Sequence, residues 1–83
     1  MINVTSQEIQ EGRKKYQDFF NRRSGDFYTN LFHAIAFADQ RNINLLATAF
    51  PGAVFAYLEY TDMLNRVRWM VDGKMYVPGI THD

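Results

Sequence analysis

Histidine titrates near neutral pH and can act as a general base or a metal ligand, so the two histidines are the first residues to test for chemistry. His33 falls inside a helical stretch, with Asn30 one turn before it and Phe37 one turn after. Asp26 completes that stripe, and without catalytic partners at hand His33 reads as a helix-surface or interface histidine. His82 stands beside Asp83 in a segment expected to fray, a poor place to hold a catalytic geometry. The serines are Ser6, at a helix start, and Ser24, at a corner. The chain has no cysteine, so neither a disulfide framework nor a thiolate metal site can form. No Cys/His spacing suggests zinc, no acidic loop suggests calcium, and the five scattered glycines form no phosphate-cradling loop. The expectation is a protein without catalytic residues, metal or cofactor.

Binding chemistry is better represented. Arg22-Arg23-Ser24-Gly25 precedes a helix start, where unpaired amides and the positive end of the helix dipole attract anions. Two arginines and a hydroxyl there would suit a phosphate, with Tyr16, Phe27 or Tyr28 offering a face to a base. The plainer reading is corner chemistry: Arg22 paired with Asp18, Arg23 near a helix C-terminus and Ser24 capping. Asp26 brings negative charge to the same turn and opposes an anion. A second candidate surface is Arg68, Trp69, Lys74 and Tyr76, residue types common at protein–protein hot spots. Against it stands the possibility that these residues fold inward to bury Trp69. Phe37, on a helix stripe that should be polar, is a further candidate contact.

These residues must be positioned by a small domain. Eighty-three residues make one domain, 1–83, and a chain this short buries only about 60% of its unfolded surface. Seven Phe, five Tyr and one Trp are a large apolar load for that size, which suggests that some aromatic surface lies at a subunit contact. Nine basic and nine acidic residues leave no net charge, so long-range attraction to DNA or an anionic membrane is absent. No apolar run approaches the ~18 residues of a membrane span. The polar start MINVTSQEIQEG lacks the order of a signal peptide, which points to the cytoplasm.

The hydrophobic pattern gives four helices and a hairpin. Thr5 and Glu8 form a capping box, with Val4 and Ile9 as a hydrophobic staple, opening a helix over 6–23. Ile9, Tyr16, Phe19 and Phe20 are its apolar residues, and Gly12 on the same side leaves room for a close neighbour. The Arg13-Lys14-Lys15 cluster invites a nucleic-acid reading, but Glu11 with Lys15 and Asp18 with Arg22 are favourable i,i+4 pairs on a solvated face. Gly25 is placed to take the left-handed conformation ending this helix, and Ser24 or Asp26 to cap the next.

Helix two, 26–38, carries Phe27, Leu31, Ala34, Ile35 and Ala38 on one face, widened by Tyr28, Phe32 and Ala36, and should be buried on most of its circumference. Asp39 or Asn42 caps helix three, 42–49, which carries Ile43, Leu46, Ala47 and Phe50 at helical spacing. Pro51 suits the first turn of helix four, 51–66, with Val54, Tyr57, Leu58, Thr61 and Leu64 inward and Glu59, Asp62 and Arg66 outward. From 67 to 77 the period changes, and Asp72-Gly73 fits a type I′ turn with Trp69 opposite Tyr76 and Met70 opposite Met75. The competing reading extends helix four through Met70. A lone hairpin is marginal, so this one must lie on the helices or pair with another chain. Pro78-Gly79 ends it.

Phe27-Tyr28-Thr29, Leu31-Phe32, Ala34-Ile35, Ala38-Asp39, Asn42, Leu46 and Phe50-Pro51 together resemble a pattern found in small proteins of phages and other mobile elements. The match covers the middle third of the chain and consists of core and cap positions, so it carries over no site residues. It implies a helical accessory protein of a kind that binds and blocks host factors, antiviral defences among them. The expected activity is sequestration of a small nucleotide-like anion by Arg22, Arg23, Ser24, Tyr16 and Tyr28. The alternative is occlusion of a host protein by the Phe37, Arg68, Trp69, Lys74 and Tyr76 surface. Self-association is expected in either case.

Overall fold

A computed structural model describes residues 1–77; the expected hairpin end at Pro78-Gly79 and the frayed segment with His82 lie outside them. The order is β1 (Ile2–Val4), α1 (Ser6–Phe20), α2 (Asp26–Phe37), α3 (Gln40–Ala49), α4 (Pro51–Tyr60), a 3-10 turn (Leu64–Arg66), β2 (Trp69–Val71) and β3 (Lys74–Met75). The fold is mainly α, four helices with a small sheet, as the sequence pattern implies.

Helix starts follow local chemistry. The Thr5 hydroxyl accepts the Glu8 amide and the Glu8 carboxylate accepts the Thr5 amide, closing the capping box. Val4 and Ile9, the staple pair, are both buried. Asp39 caps α3 by accepting the Asn42 amide at 2.8 Å, which starts that helix at Gln40 rather than at 42. Pro51 occupies the first turn of α4.

Helix ends depart from expectation. α1 stops at Phe20, because Arg22 takes a left-handed φ of 58° and the Arg23 amide turns back to the Asp18 carbonyl at 2.7 Å. The left-handed residue is therefore Arg22, not Gly25, which sits at φ −71° as the N-cap of α2 without a side-chain capping bond. Ser24 and Asp26 do not cap α2; the Ser24 hydroxyl is bonded to that of Thr29 at 2.6 Å. α4 ends in the same manner at Tyr60, with Asp62 at φ 58° and the Met63 amide on the Leu58 carbonyl. The single helix expected over 51–66 is thus broken before the 3-10 turn.

α4 is the core of the molecule. Gly52, Ala53, Val54, Phe55, Ala56 and Leu58 are all buried, so it is enclosed around most of its circumference rather than on one face. Thr61, expected inward, is exposed, and Tyr57 is half-buried. The reverse holds for α2, whose buried residues are Leu31, Phe32 and Ile35 while Phe27, Ala34 and Ala36 face outward. α1 lies against α4, with Glu8 and Gly12 at Gly52, Arg13 at Glu59, and Tyr16 and Phe20 at Tyr60. Contacts advance in the same direction along both, so these helices run parallel. A Cβ on Gly12 would fall on the Gly52 carbonyl, and one on Gly52 on the Glu8 carbonyl. Both glycines are there to let the backbones touch.

The hairpin forms as expected. Asp72 (φ 51°) and Gly73 (φ 80°) make the turn, Met70 pairs with Met75, and the Tyr76 amide donates to the Trp69 carbonyl at 3.0 Å. Its company comes from the chain's own start. β1 pairs in parallel with β2, Ile2 opposite Trp69 and Val4 opposite Val71, so that β2 is central in a three-stranded sheet. The Asp72 carboxylate also accepts the Ser6 amide (2.9 Å) and the Ser6 hydroxyl, tying the turn to the start of α1.

Candidate functional site

His33 is exposed on α2 with its ring edge-on to Phe19, 5.5 Å between centroids. Among the described residues no group of three or more His, Asp or Glu side chains could hold a metal ion.

The residues proposed to hold an anion do not converge. Arg22 and Arg23 are exposed in the corner after α1, and the Ser24 hydroxyl is engaged with Thr29. Tyr16 is drawn into a ring cluster with Tyr60 (4.9 Å), Phe32 (5.3 Å), Tyr57 (5.8 Å) and Phe19 (5.9 Å), and burial raises its phenol pKa. Tyr28 lines a different groove, with Gly12, Phe50 and Gly52, and the Lys15 ammonium lies 4.8 Å over its ring. Arg22, Arg23 and Ser24 line neither the groove at Tyr16 nor that at Tyr28. The i,i+4 ion pairs expected on α1 are replaced as well. Lys15 turns to Tyr28, Arg22 lies beyond the helix end, and the ion pair among the described residues is Arg13–Glu59.

The hairpin surface is only partly available. Trp69 is 1% exposed, its ring 5.1 Å from Phe55 and its indole N–H donating to the Leu64 carbonyl at 3.2 Å. It is a core residue rather than a contact residue, because β1 pairs along β2 and Phe55 of α4 packs against its ring. Tyr76 is half-buried against Phe55 at 5.6 Å, whereas Arg68 and Lys74 are exposed. Phe37 is 89% exposed at the end of α2.

What the sequence reading missed is a valley between α1 and α4. It holds two grooves that share Arg13 and Glu59. One, about 530 Å³, runs between α1, α4 and the hairpin, over Ile9, Phe55 and Val71 and past Lys74, Met75 and Tyr76. The other, about 350 Å³, is lined by Tyr16, Gln17, Phe20, Ala56 and Tyr60. Between them the Arg13 guanidinium grips the Glu59 carboxylate with two bonds, 2.8 and 2.6 Å. That bond holds the Arg13 pKa above its ordinary value. Phe20 and Tyr60, each 62% exposed, meet at 5.9 Å at the far end. Arg13 and Glu59 lie 46 positions apart, so no local pattern brings them together. Phe20 counts in the sequence as one more apolar residue of α1.

Among the described residues no helix is long and apolar enough to cross a membrane. No protein-family model matches this chain, nor does any curated protein or solved structure.

Proposed function

We propose that the chain is a non-catalytic binding protein that covers a surface of a partner protein, with the α1–α4 valley as its contact. The supporting observation is the pair of grooves joined at Arg13–Glu59 and ending in the exposed Phe20 and Tyr60. α1 spans 15 residues, about 22 Å at the helical rise. A valley of that length suits a polypeptide segment better than a nucleotide. Tyr and Arg are also the side chains that anchor protein–protein contacts. Lys74 and Tyr76 of the earlier hairpin set border the same valley. Sequestration of a nucleotide-like anion is the weaker reading, since its five residues are spread over separate walls. The resemblance to small phage and mobile-element proteins makes a cytoplasmic host factor, an antiviral defence component in particular, the partner class to screen first.

The test compares wild type with Phe20→Ser/Tyr60→Ser and Arg22→Ala/Arg23→Ala. Each serves as bait in host extract, and a captured protein is then purified and titrated by calorimetry. The valley variant should lose binding and the arginine variant keep it. The opposite result overturns the reading, as does a nucleotide that raises the melting temperature of wild type but not of the arginine variant.

A further inference from the structure

We infer that a second copy of this chain covers the corner of α2 and α3, pairing about a two-fold axis that passes between Phe37 and the neighbouring Ala34 and Ala38. The motive is local and separate from the valley. Phe37 is 89% exposed and Leu45 59%. The other exposed phenylalanines have ring partners, Phe20 with Tyr60 and Phe27 with Phe50, whereas Phe37 makes no ring contact among the described residues. Beside it lies a shallow hollow of about 410 Å³ formed with Ala34, Ala38, Asn42, Leu45 and Leu46, a lining without a charged side chain.

Knob and hollow therefore occur on one patch. A two-fold contact needs this, because the same surface must complement itself. In such a pair each Phe37 ring lies over Ala34 and Ala38 of the other copy. The rim is self-complementary too. Asp39 and Arg41 are exposed on the loop and first turn that follow Phe37, and Arg41 makes no ion pair among the described residues. Across a two-fold axis Arg41 of one copy faces Asp39 of the other. The chain carries no net charge, so two copies approach without long-range repulsion.

The experiment is sedimentation of wild type, Phe37→Ser and Ala34→Trp across micromolar concentrations, each checked for native circular dichroism. Both substitutions fall on exposed residues, so the fold is expected to survive. Wild type should pass from 9.7 kDa to twice that mass as concentration rises. Either variant should weaken pairing about tenfold or more, as loss of an aromatic anchor does. Mixing the two variants should restore pairing in part, since one copy still offers a knob and the other a hollow. The inference is overturned by a wild type of 9.7 kDa throughout, by a dimer indifferent to Phe37→Ser, or by growth past the dimer. Phe20→Ser/Tyr60→Ser should leave pairing unchanged, which separates this contact from the valley.

Discussion

Gly12→Ala offers the sharpest check on the architecture, because two readings predict opposite signs. In the structure the added Cβ meets the Gly52 carbonyl and the Ala53 amide nitrogen, the latter at 3.0 Å. These are backbone atoms of the most buried helix, so no side chain can swing aside. Overpacking a core costs about 1–3 kcal/mol, and an obstacle of this kind belongs at the upper end. Against that, alanine is favoured over glycine inside a helix by about 1 kcal/mol. The net loss is about 2 kcal/mol. For a domain of this size each kcal/mol moves the melting temperature by about 4–8 °C, so a fall of about 8–16 °C is expected by scanning calorimetry. Were α1 and α4 separated by an ordinary layer of side chains, Gly12→Ala would gain stability. A melting temperature at or above wild type refutes the close crossing. Gly25→Ser is the control: a Cβ there meets nothing within 4 Å. At the uncapped N-cap of α2 it should add a few tenths of a kcal/mol.

Two further perturbations probe the hairpin. Gly73→Val places a β-branched residue at φ 80° in open space, so its cost is conformational, about 1–3 kcal/mol; an unchanged urea midpoint would show that the turn is not needed. Asp72 has its carboxyl pKa lowered, chiefly by the Ser6 hydroxyl and then by the Ser6 amide. A lowered folded-state pKa means that this contribution is full above the unfolded value of about 3.9 and is lost as pH falls through the folded value. Asp72→Asn, which keeps a side chain tolerant of the left-handed turn, should therefore flatten that part of the acid unfolding curve. A curve superimposable on wild type below about pH 4 would disprove the clasp.

What the sequence determined by itself are the features whose partners lie a few residues apart. Thr5 with Glu8, Pro51 in a first turn and Asp72-Gly73 in a hairpin are all local and are found as read, Val4 and Ile9 are both buried, and of the two caps the sequence offered for α3 it is Asp39 that serves. Even Gly12 announces a close neighbour, though not which one. Helix ends were less legible, since Arg22 and Asp62 take a conformation that glycine would have signalled. The binding candidates failed for a related reason: spacing along a helix says which residues share a face, not what that face meets. Tertiary structure alone decides that Ile2–Val4 becomes a strand, because its partner Trp69–Val71 is at the other end of the chain. That third strand, with α4 behind it, turns Trp69 from a candidate contact into core. Arg13–Glu59 and Ser6–Asp72 likewise join residues with no sequence relation. The first exists only once α1 and α4 lie side by side and the second only once the hairpin turn meets the start of α1, and the valley is a property of that packing rather than of any stretch of the chain.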